Sequence, residues 1–164
     1  EMYESGMQVA VRMGTVMSMQ DDMLGHFMIP IAAMRREGTS QSYVDLSYPA
    51  VADVELVNVM NETVQQMGKR YLNGLNCTMD GFYSCMHDSK FSLECGRDMS
   101  KTFEEVKKLG VTGIDMESSC ILTLGRLMGV KTCILTVVTV LENLKETLKG
   151  QDRVDAEDLL CRTA

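Results

Sequence analysis

The sequence predicts an α/β layered sandwich with a partly parallel sheet. Short apolar runs typical of strands alternate with amphipathic stretches typical of helices, which is the order found in layered α/β domains. The run 131–141 is almost continuously apolar and β-branched, as expected for a central strand covered on both faces. With 164 residues the chain is long enough for a core of its own, so we expect a single domain over residues 1–164.

Two strands and a loop are predicted in the N-terminal part of the chain. Residues 7–12 form a short apolar run that predicts a buried strand. A second strand is predicted over residues 26–34. It contains Pro30, which lacks a backbone N–H and therefore predicts an edge or bulged position. Residues 35–43 are polar and predict a loop.

The middle of the chain begins with a predicted amphipathic helix. Its apolar residues recur at spacings of three and four: Val54, Val57, Met60, Val64 and Met67. Gly68 is expected to end this helix. Residues 70–79 predict a third strand, interrupted by Gly74, and residues 80–98 predict a long irregular segment of the kind that often carries function.

The C-terminal part alternates again between helix and strand. Thr102 and Glu105 have the spacing of a capping box and predict the start of a short helix. Residues 111–114 predict a brief strand, and residues 116–129 predict a largely buried helix. The charged tail, 142–164, is expected to be helical.

The charge and hydropathy of the chain exclude two classes of partner. The net charge is −7 and the sequence pI is about 4.8, so the chain lacks the basic surface that nucleic acids and anionic membranes require. No apolar run approaches the roughly 18 to 20 residues that span a bilayer, and no signal peptide is recognisable. We therefore expect a cytoplasmic protein without a nucleic-acid or membrane partner.

The cysteines predict free thiols and no metal site. None of the six is in CxxC spacing, and the chain has two histidines. A zinc site needs clustered cysteine and histidine ligands, so we expect no bound metal. Free cysteines in apolar runs are typical of a reducing compartment.

The segment 11–15, VRMGT, contains the residue types of an anion-binding turn. The guanidinium of Arg12 presents paired donors that match phosphate oxygens, and Gly14 allows close backbone approach. Val16 and Met17 follow where small residues are expected, so they should stiffen and crowd such a turn. The alternative is an ordinary arginine at a strand end, paired with a surface carboxylate.

Four segments in this order resemble the uridine phosphorylases of the nucleoside phosphorylase superfamily: 11–15, 35–53, 80–84 and 115–119. The wording EGTS…Y…YPAVAD in the second segment is the most specific of them. The resemblance covers roughly the C-terminal two thirds of a family member, because the N-terminal portion of the family has no counterpart here. It implies a three-layer α/β/α sandwich with a mixed central sheet, and an N-terminally incomplete domain.

The resemblance also implies a reaction. Family members convert uridine and phosphate into uracil and ribose 1-phosphate, with phosphate as co-substrate and without a metal or other cofactor. They are built as homodimers or larger oligomers, so we expect such an assembly here, or a partner chain that covers the incomplete sheet.

By the same resemblance, Arg12, Gly14 and Thr15 form the phosphate site. Met116 packs against the ribose and Glu117 accepts hydrogen bonds from its hydroxyl groups.

Two further residues belong to the implied nucleoside site. Asp115 stands where the family has a glutamate, and Phe82 is expected to stack on the pyrimidine. Asp115 and Glu117 can also serve simply as acids at a helix N-terminus, where the helix dipole favours them.

The implied base-binding residues depart from the family. Met86 and Asp88 occupy the positions of a glutamine and an arginine that grip the uracil carbonyl groups, and no arginine follows the last strand near Glu142. Removing one preorganised donor from developing charge costs about 2.7–4 kcal/mol, so catalysis is expected to be impaired or lost. A shift in the alignment would make His87 or Lys90 the donor.

Three functions remain open from the sequence. The first is a nucleoside phosphorylase directed at pyrimidines. The second is a pseudoenzyme that serves as a structural or regulatory subunit, which the missing base-binding donors favour. The third is a nucleosidase that uses water, with Glu142 as the acid that protonates the base.

An incomplete sheet exposes apolar surface and unpaired strand edges. We therefore expect residues 1–164 alone to be poorly soluble or to remain bound to another chain, as measured by size-exclusion chromatography with light scattering. A monodisperse monomer that melts cooperatively would contradict this prediction.

Overall fold

A computed structural model describes residues 1–87, 89–142 and 144–163. Eight strands form one sheet: β1 (Val9–Ser18), β2 (Phe27–Met28), β3 (Ala32–Arg36), β4 (Ala50–Val51), β5 (Tyr71–Leu72), β6 (Leu75–Met79), β7 (Val111–Asp115) and β8 (Lys131–Leu141). Five α-helices are described: α1 (Val54–Gln66), α2 (Lys90–Glu94), α3 (Met99–Lys108), α4 (Ser118–Leu127) and α5 (Gly150–Thr163). A 3₁₀ turn covers Ser40–Ser42 and a π-helical turn covers Phe82–Met86.

The sheet is mixed, with the strand order β4-β3-β6-β7-β1-β8-β2-β5. The pairs β1–β8, β3–β6, β6–β7 and β2–β5 are parallel, whereas β1–β7, β2–β8 and β3–β4 are antiparallel. Helices α1, α4 and α5 pack on one face around β8. Helix α3 packs on the other face against β6 and β7. The predicted three-layer α/β/α sandwich with a mixed central sheet is confirmed.

Strand β8 forms the centre of the core. Residues 132–139 are all buried, as its apolar, β-branched sequence predicted. Its longest partnership is with β1, which runs parallel to it from Val9 to Ser18 with one irregularity after Val16. Strand β1 is therefore longer than the predicted strand 7–12.

The predicted strands 26–34 and 70–79 are each two strands. Pro30 separates β2 from β3, and residues 73–74 separate β5 from β6. The two segments run side by side, with Ile29 N–H donating to Leu72 O at 2.9 Å across the break. Because both bend at the same place, β2 and β5 join one end of the sheet while β3 and β6 join the other. Pro30 thus lies between two strands, and the prediction of one edge or bulged strand was wrong.

Helix α1 agrees with its predicted stripe except at its start. Val57 and Val64 are buried, but Val54 is 73% exposed because it occupies the first turn. Asp53 caps this helix by accepting a hydrogen bond from Leu56 N–H at 3.1 Å. Gly68 follows the helix with a φ of 67°, a conformation that glycine adopts readily.

The predicted capping box of Thr102 and Glu105 was wrong. Helix α3 begins at Met99, and Asp98 caps it by accepting from Lys101 N–H at 3.1 Å. Thr102 lies inside the helix and donates its hydroxyl to Asp98 O at 3.2 Å. A carboxylate four residues earlier therefore starts the helix.

Three other expectations were too coarse. The segment 80–98 is more regular than predicted, since it contains the π-helical turn and α2, which Ser89 and Ser92 start with a capping box. The polar segment 35–43 begins inside β3 and contains the 3₁₀ turn. The predicted tail helix starts only at Gly150. Among the described residues, no helix combines the length and apolar character needed to cross a bilayer.

The six cysteines are free thiols that differ in burial. Burial raises the pKa of Cys77 to about 12 and that of Cys133 to about 11. Cys95 and Cys161 are exposed. Because the thiolate is the reactive form, burial and a raised pKa both make Cys77 and Cys133 slow to react.

We expect an aromatic disulfide reagent to modify Cys95 and Cys161 first in the native protein, and Cys77 and Cys133 only after unfolding. The measurement is thiol titration followed by peptide mapping, with the denatured protein as the control in which all thiols react. Fast modification of Cys77 in the native protein would contradict the burial of β6.

Candidate functional site

A cleft opens where β1 and β7 separate. The two strands are paired at Met17 with Ile114 and at Ser18 with Gly113. Earlier in β1 no described strand lies on that side, and a cavity of about 340 Å³ occupies the space. Its lining residues come from six parts of the fold: Arg12, Thr15, Val16, Met17, Phe82, Met86, Ile114, Asp115, Met116, Glu117, Thr139, Val140, Leu144, Thr147 and Arg153.

Most of the predicted site residues line this one cleft. Arg12 and Thr15 come from β1, whereas Phe82 and Met86 come from the π-helical turn. Asp115, Met116 and Glu117 come from the junction of β7 and α4. The roles assigned to these residues remain predictions.

Segment 11–15 is part of strand β1 and does not form a turn. Each of its residues pairs with a residue of β8. Val16 and Met17 are buried in the core at 2% and 3% exposure, so they support the strand. The turn that these two residues were expected to crowd is therefore absent, and both residues line the cleft.

Gly14 makes room for the side chain of Arg12. A Cβ atom at residue 14 would lie 3.0 Å from Arg12 Nη2 and 3.1 Å from its Cζ. The guanidinium group thus passes directly over the glycine, where a side chain would displace it.

Two carboxylates hold the guanidinium group of Arg12. Its Nη2 forms an ion pair with Glu117, and its Nη1 lies 3.6 Å from Asp115 Oδ2. The side chain of Arg12 is 14% exposed, whereas that of Glu117 is 50% exposed. Among the described residues, Nη1 has no hydrogen-bond partner. Of the two alternatives drawn from the sequence, pairing with a carboxylate is present: the half-exposed Glu117 and the buried Asp115 both lie against Arg12 at the cleft.

Asp115 is a buried carboxylate with several donors. It accepts from Thr78 Oγ1 at 2.9 Å, from Ser118 N–H at 3.3 Å and from the Ser118 hydroxyl. Asn76 Nδ2 also donates to Asp115 Oδ2 at 3.4 Å. Asp115 therefore connects β6, β7 and the start of α4, and its Oδ2 lies within ion-pair distance of Arg12.

A second network of buried hydrogen bonds connects the start of α4 to segment 35–40. Ser119 N–H donates to Thr78 Oγ1 at 2.8 Å, and the Ser119 hydroxyl donates to Glu37 Oε1 at 2.9 Å. Glu37 also accepts from Ser40 N–H at 2.8 Å, and Arg35 Nε donates to Ser40 Oγ at 2.9 Å. The EGTS wording of the sequence is thus explained by a structural network next to the cleft.

Burial raises the pKa of Glu37, but hydrogen bonds from Ser40 and Ser119 outweigh it, so the net pKa lies below the ordinary value. Glu37 therefore stays ionised at neutral pH and keeps accepting the bonds that hold Ser119.

The predicted base-side residues differ in exposure. Phe82 is 41% exposed, and its ring lies 5.6 Å from the ring of His87 in a stacked arrangement. Met86 is only 6% exposed and belongs to the hydrophobic cluster on the α3 side of the sheet. Asp88 lies outside the described residues.

The suggested replacement donors do not line the cleft. Lys90 has a 91% exposed side chain that pairs with Glu94 at 3.8 Å. His87 is stacked beside Phe82 and is absent from the described lining. Glu142, the suggested acid, forms an ion pair with Lys107 at a different surface depression.

Arg153 and Thr139 line the cleft although the sequence did not single them out. Arg153 lies in a charged amphipathic tail where many residues have the same character, so no local signal distinguished it. Thr139 lies inside the buried run of β8 and has the pattern of an ordinary strand residue.

No group of three His, Cys, Asp or Glu side chains within the described part of the chain is arranged to hold a metal ion. The chemistry available in the cleft is thus that of two arginines, two carboxylates, hydroxyl groups and an apolar wall.

Comparison with known proteins gives a consistent result. A model of the phosphorylase superfamily matches residues 2–159. Uridine phosphorylase from Thermococcus kodakarensis is 29% identical over 139 residues, which cover 84% of this chain and 50% of that protein. The crystal structure of uridine phosphorylase from Vibrio fischeri has a TM-score of 0.77 at 25% identity, covering 95% of this chain and 61% of that one.

A third relative shares the fold. Purine nucleoside phosphorylase from Toxoplasma gondii, solved in complex with immucillin-H, has a TM-score of 0.81 at 22% identity. It covers 99% of this chain and 63% of that one. The chain thus spans between half and two thirds of the length of these relatives.

We expect the Asp115→Asn variant to lower the free energy of unfolding by about 1–3 kcal/mol, because it replaces an acceptor oxygen with a donor facing other donors in a buried site. The Glu117→Gln variant should cost less than about 1 kcal/mol, since its carboxylate is half exposed. Urea unfolding of both variants tests this. Equal losses would show that the buried network does not depend on Asp115.

Proposed function

The chain belongs to the phosphorylase superfamily, and on that premise we propose that its cleft binds a nucleoside and phosphate and carries out a slow phosphorolysis of uridine. One observation supports this most directly: Arg12 and Thr15 line the same cleft as Phe82 and Glu117. The anion-binding groups and the nucleoside-binding groups named from the sequence are therefore neighbours.

Phosphate binding is proposed to begin with an exchange of partners at Arg12. In the free cleft its guanidinium pairs with Glu117, whose side chain is half exposed and can move away. Phosphate then takes the place of the Glu117 carboxylate, and Nη1 gains an acceptor that it lacks among the described residues. Thr15 adds a hydroxyl donor.

The exchange leaves the Glu117 carboxylate free to accept hydrogen bonds from the ribose hydroxyl groups. In the reaction, an oxygen of phosphate forms a bond to C1′ while the bond between C1′ and N1 of the base breaks. The bonding electron pair leaves on the base, which then takes up a proton from solvent. Asp115 holds Arg12 in place throughout and does not exchange protons with the substrate.

The base side of the cleft explains why the reaction is proposed to be slow. Met86 supplies an apolar contact but no hydrogen bond to a carbonyl oxygen. Each missing donor at developing charge costs about 2.7–4 kcal/mol of transition-state stabilisation. Weak turnover, and not full activity, is the consistent expectation.

A second candidate is a phosphorylase-like subunit that binds ligands without turning them over. It is favoured by the pairing of Arg12 with two carboxylates, which compete with phosphate for the same guanidinium group. Such a subunit would retain the fold and the sugar-binding carboxylate while serving a structural or regulatory role.

No cofactor is part of the proposal, and phosphate is the co-substrate. We further propose a homodimer or larger oligomer, supported by apolar side chains exposed near the cleft: Tyr83 at 66%, Phe91 at 67% and Leu93 at 63%. The free thiols support a reducing, cytoplasmic location.

The test is release of uracil from uridine by the purified protein, with and without phosphate. We expect slow release that requires phosphate and falls at least about 100-fold in Arg12→Ala, because the principal anion ligand is lost. Arg12→Lys should retain part of the activity, since it keeps the charge but not the paired donors.

Arg162→Ala is the matched control, because Arg162 is exposed in the last turn of α5. Thermal melting checks that each variant is folded. Uracil release without phosphate would indicate hydrolysis and contradict the proposal. No turnover, combined with a thermal shift by phosphate and uridine, would support the second candidate instead.

A further inference from the structure

We infer that Arg153 is a substrate-binding residue of the cleft and donates hydrogen bonds to a carbonyl oxygen of the nucleobase. The inference rests on the proposed function and extends it, because it names a donor where the base side otherwise lacks one. Arg153 is the fourth residue of α5. It lies outside the four segments that carry the resemblance to uridine phosphorylases.

The end of β8 brings α5 to the cleft. Thr147 forms a β-bridge with Val140, and Leu148 N–H donates to Thr139 O at 2.9 Å. The helix begins two residues later at Gly150 and packs against β8 through Ala156 and Leu160. The position of Arg153 is therefore fixed by backbone pairing on one side and by core packing on the other.

The charges of the cleft distinguish its two arginines. Four ionisable residues are found among its described lining: Arg12, Asp115, Glu117 and Arg153. Both carboxylates lie against Arg12. The partner of Arg153 is Glu157, whose carboxylate accepts from Nε at 2.8 Å and which is not among the lining residues. Arg153 therefore contributes a positive charge that neither of the two carboxylates in the described lining offsets.

The ion pair between Arg153 and Glu157 is weak, so a ligand can compete with Glu157 for the guanidinium group. The two side chains are 52% and 44% exposed and lie four residues apart on one helix. Pairs of this kind contribute only about 0.3–0.5 kcal/mol. The guanidinium group keeps further N–H donors that can turn toward a ligand while Nε remains paired.

The segment that leads into α5 lies beside the part of the cleft that contains Met86. Val140 and Leu144 line the cleft near the segment that leads into α5, and both pack against the cluster that contains Met86. Arg12 is held instead at the junction of β7 and α4. The two arginines consequently serve different parts of a ligand, phosphate in one case and the base in the other.

The chemistry fits a pyrimidine base. When the bond between C1′ and N1 breaks, the electron pair delocalises onto the ring carbonyl oxygens. A guanidinium N–H directed at such an oxygen forms a charge-assisted hydrogen bond that strengthens as the negative charge develops. Arg153 would thus replace, from a different helix, the donor that Met86 cannot supply.

The experiment compares three variants of the purified protein: Arg153→Gln, Glu157→Gln and Arg162→Gln. Calorimetry measures the dissociation constants of uracil and inorganic phosphate separately, and uracil release measures kcat and KM. Arg153→Gln should weaken uracil binding about tenfold and lower kcat, while phosphate affinity stays within about twofold.

Glu157→Gln removes the same helical ion pair but leaves Arg153 in place. It should keep or tighten uracil binding, and Arg162→Gln should change neither ligand. Thermal melting of all three variants checks the helix.

Equal effects of Arg153→Gln and Glu157→Gln would show that Arg153 acts only within the helix and would overturn the inference. Loss of phosphate binding with unchanged uracil binding would overturn it too, since Arg153 would then serve the anion. If the unmodified protein binds and converts uridine but Arg153→Gln behaves like it, the inference alone fails. If the unmodified protein binds neither ligand, the proposed function fails and the inference fails with it.

Discussion

The buried carboxylate of Asp115 is the constraint on which the site depends. Asp115 is the last residue of β7 and is only 3% exposed. Thr78 of β6 and Ser118 of α4 both donate hydrogen bonds to it. A buried charge is tolerated only when it is paired and hydrogen-bonded, so these groups have to stay together. The same carboxylate faces Arg12 on β1. The stability of the sheet and the direction of the guanidinium group are therefore coupled.

This coupling separates the parts of the cleft that can vary from those that cannot. Changing Asp115 or Ser118 affects both the core and the site, because each is buried and bonded. Phe82 and Arg153 are partly exposed, so their identity has less effect on the fold. Met86 both packs in the core and lines the cleft, so a change of this residue affects the fold and the cleft together.

Much of the fold followed from local patterns, and the errors at Pro30 and at the start of α3 have separate causes. The buried run of β8, the stripe of α1 and the alternation of elements were all readable, because burial leaves a periodic record in the chain. Pro30 was interpreted as an edge or bulged position because a single segment does not reveal that its partner, 71–79, is interrupted at the same point. The start of α3 was misplaced because Asp98 and Thr102 are both acceptable caps in sequence.

The sequence by itself determined the layered α/β fold and which residues resemble a phosphorylase site, since both depend on residue type and order. Tertiary structure alone decided that segment 11–15 is a strand, that Gly14 accommodates the Arg12 guanidinium, and that α5 delivers a second arginine. The pairing of β1 with β8 and the ion pair of Arg12 with Glu117 join residues more than 100 positions apart. Local sequence carries no record of such contacts, because they are set by how the strands and helices pack.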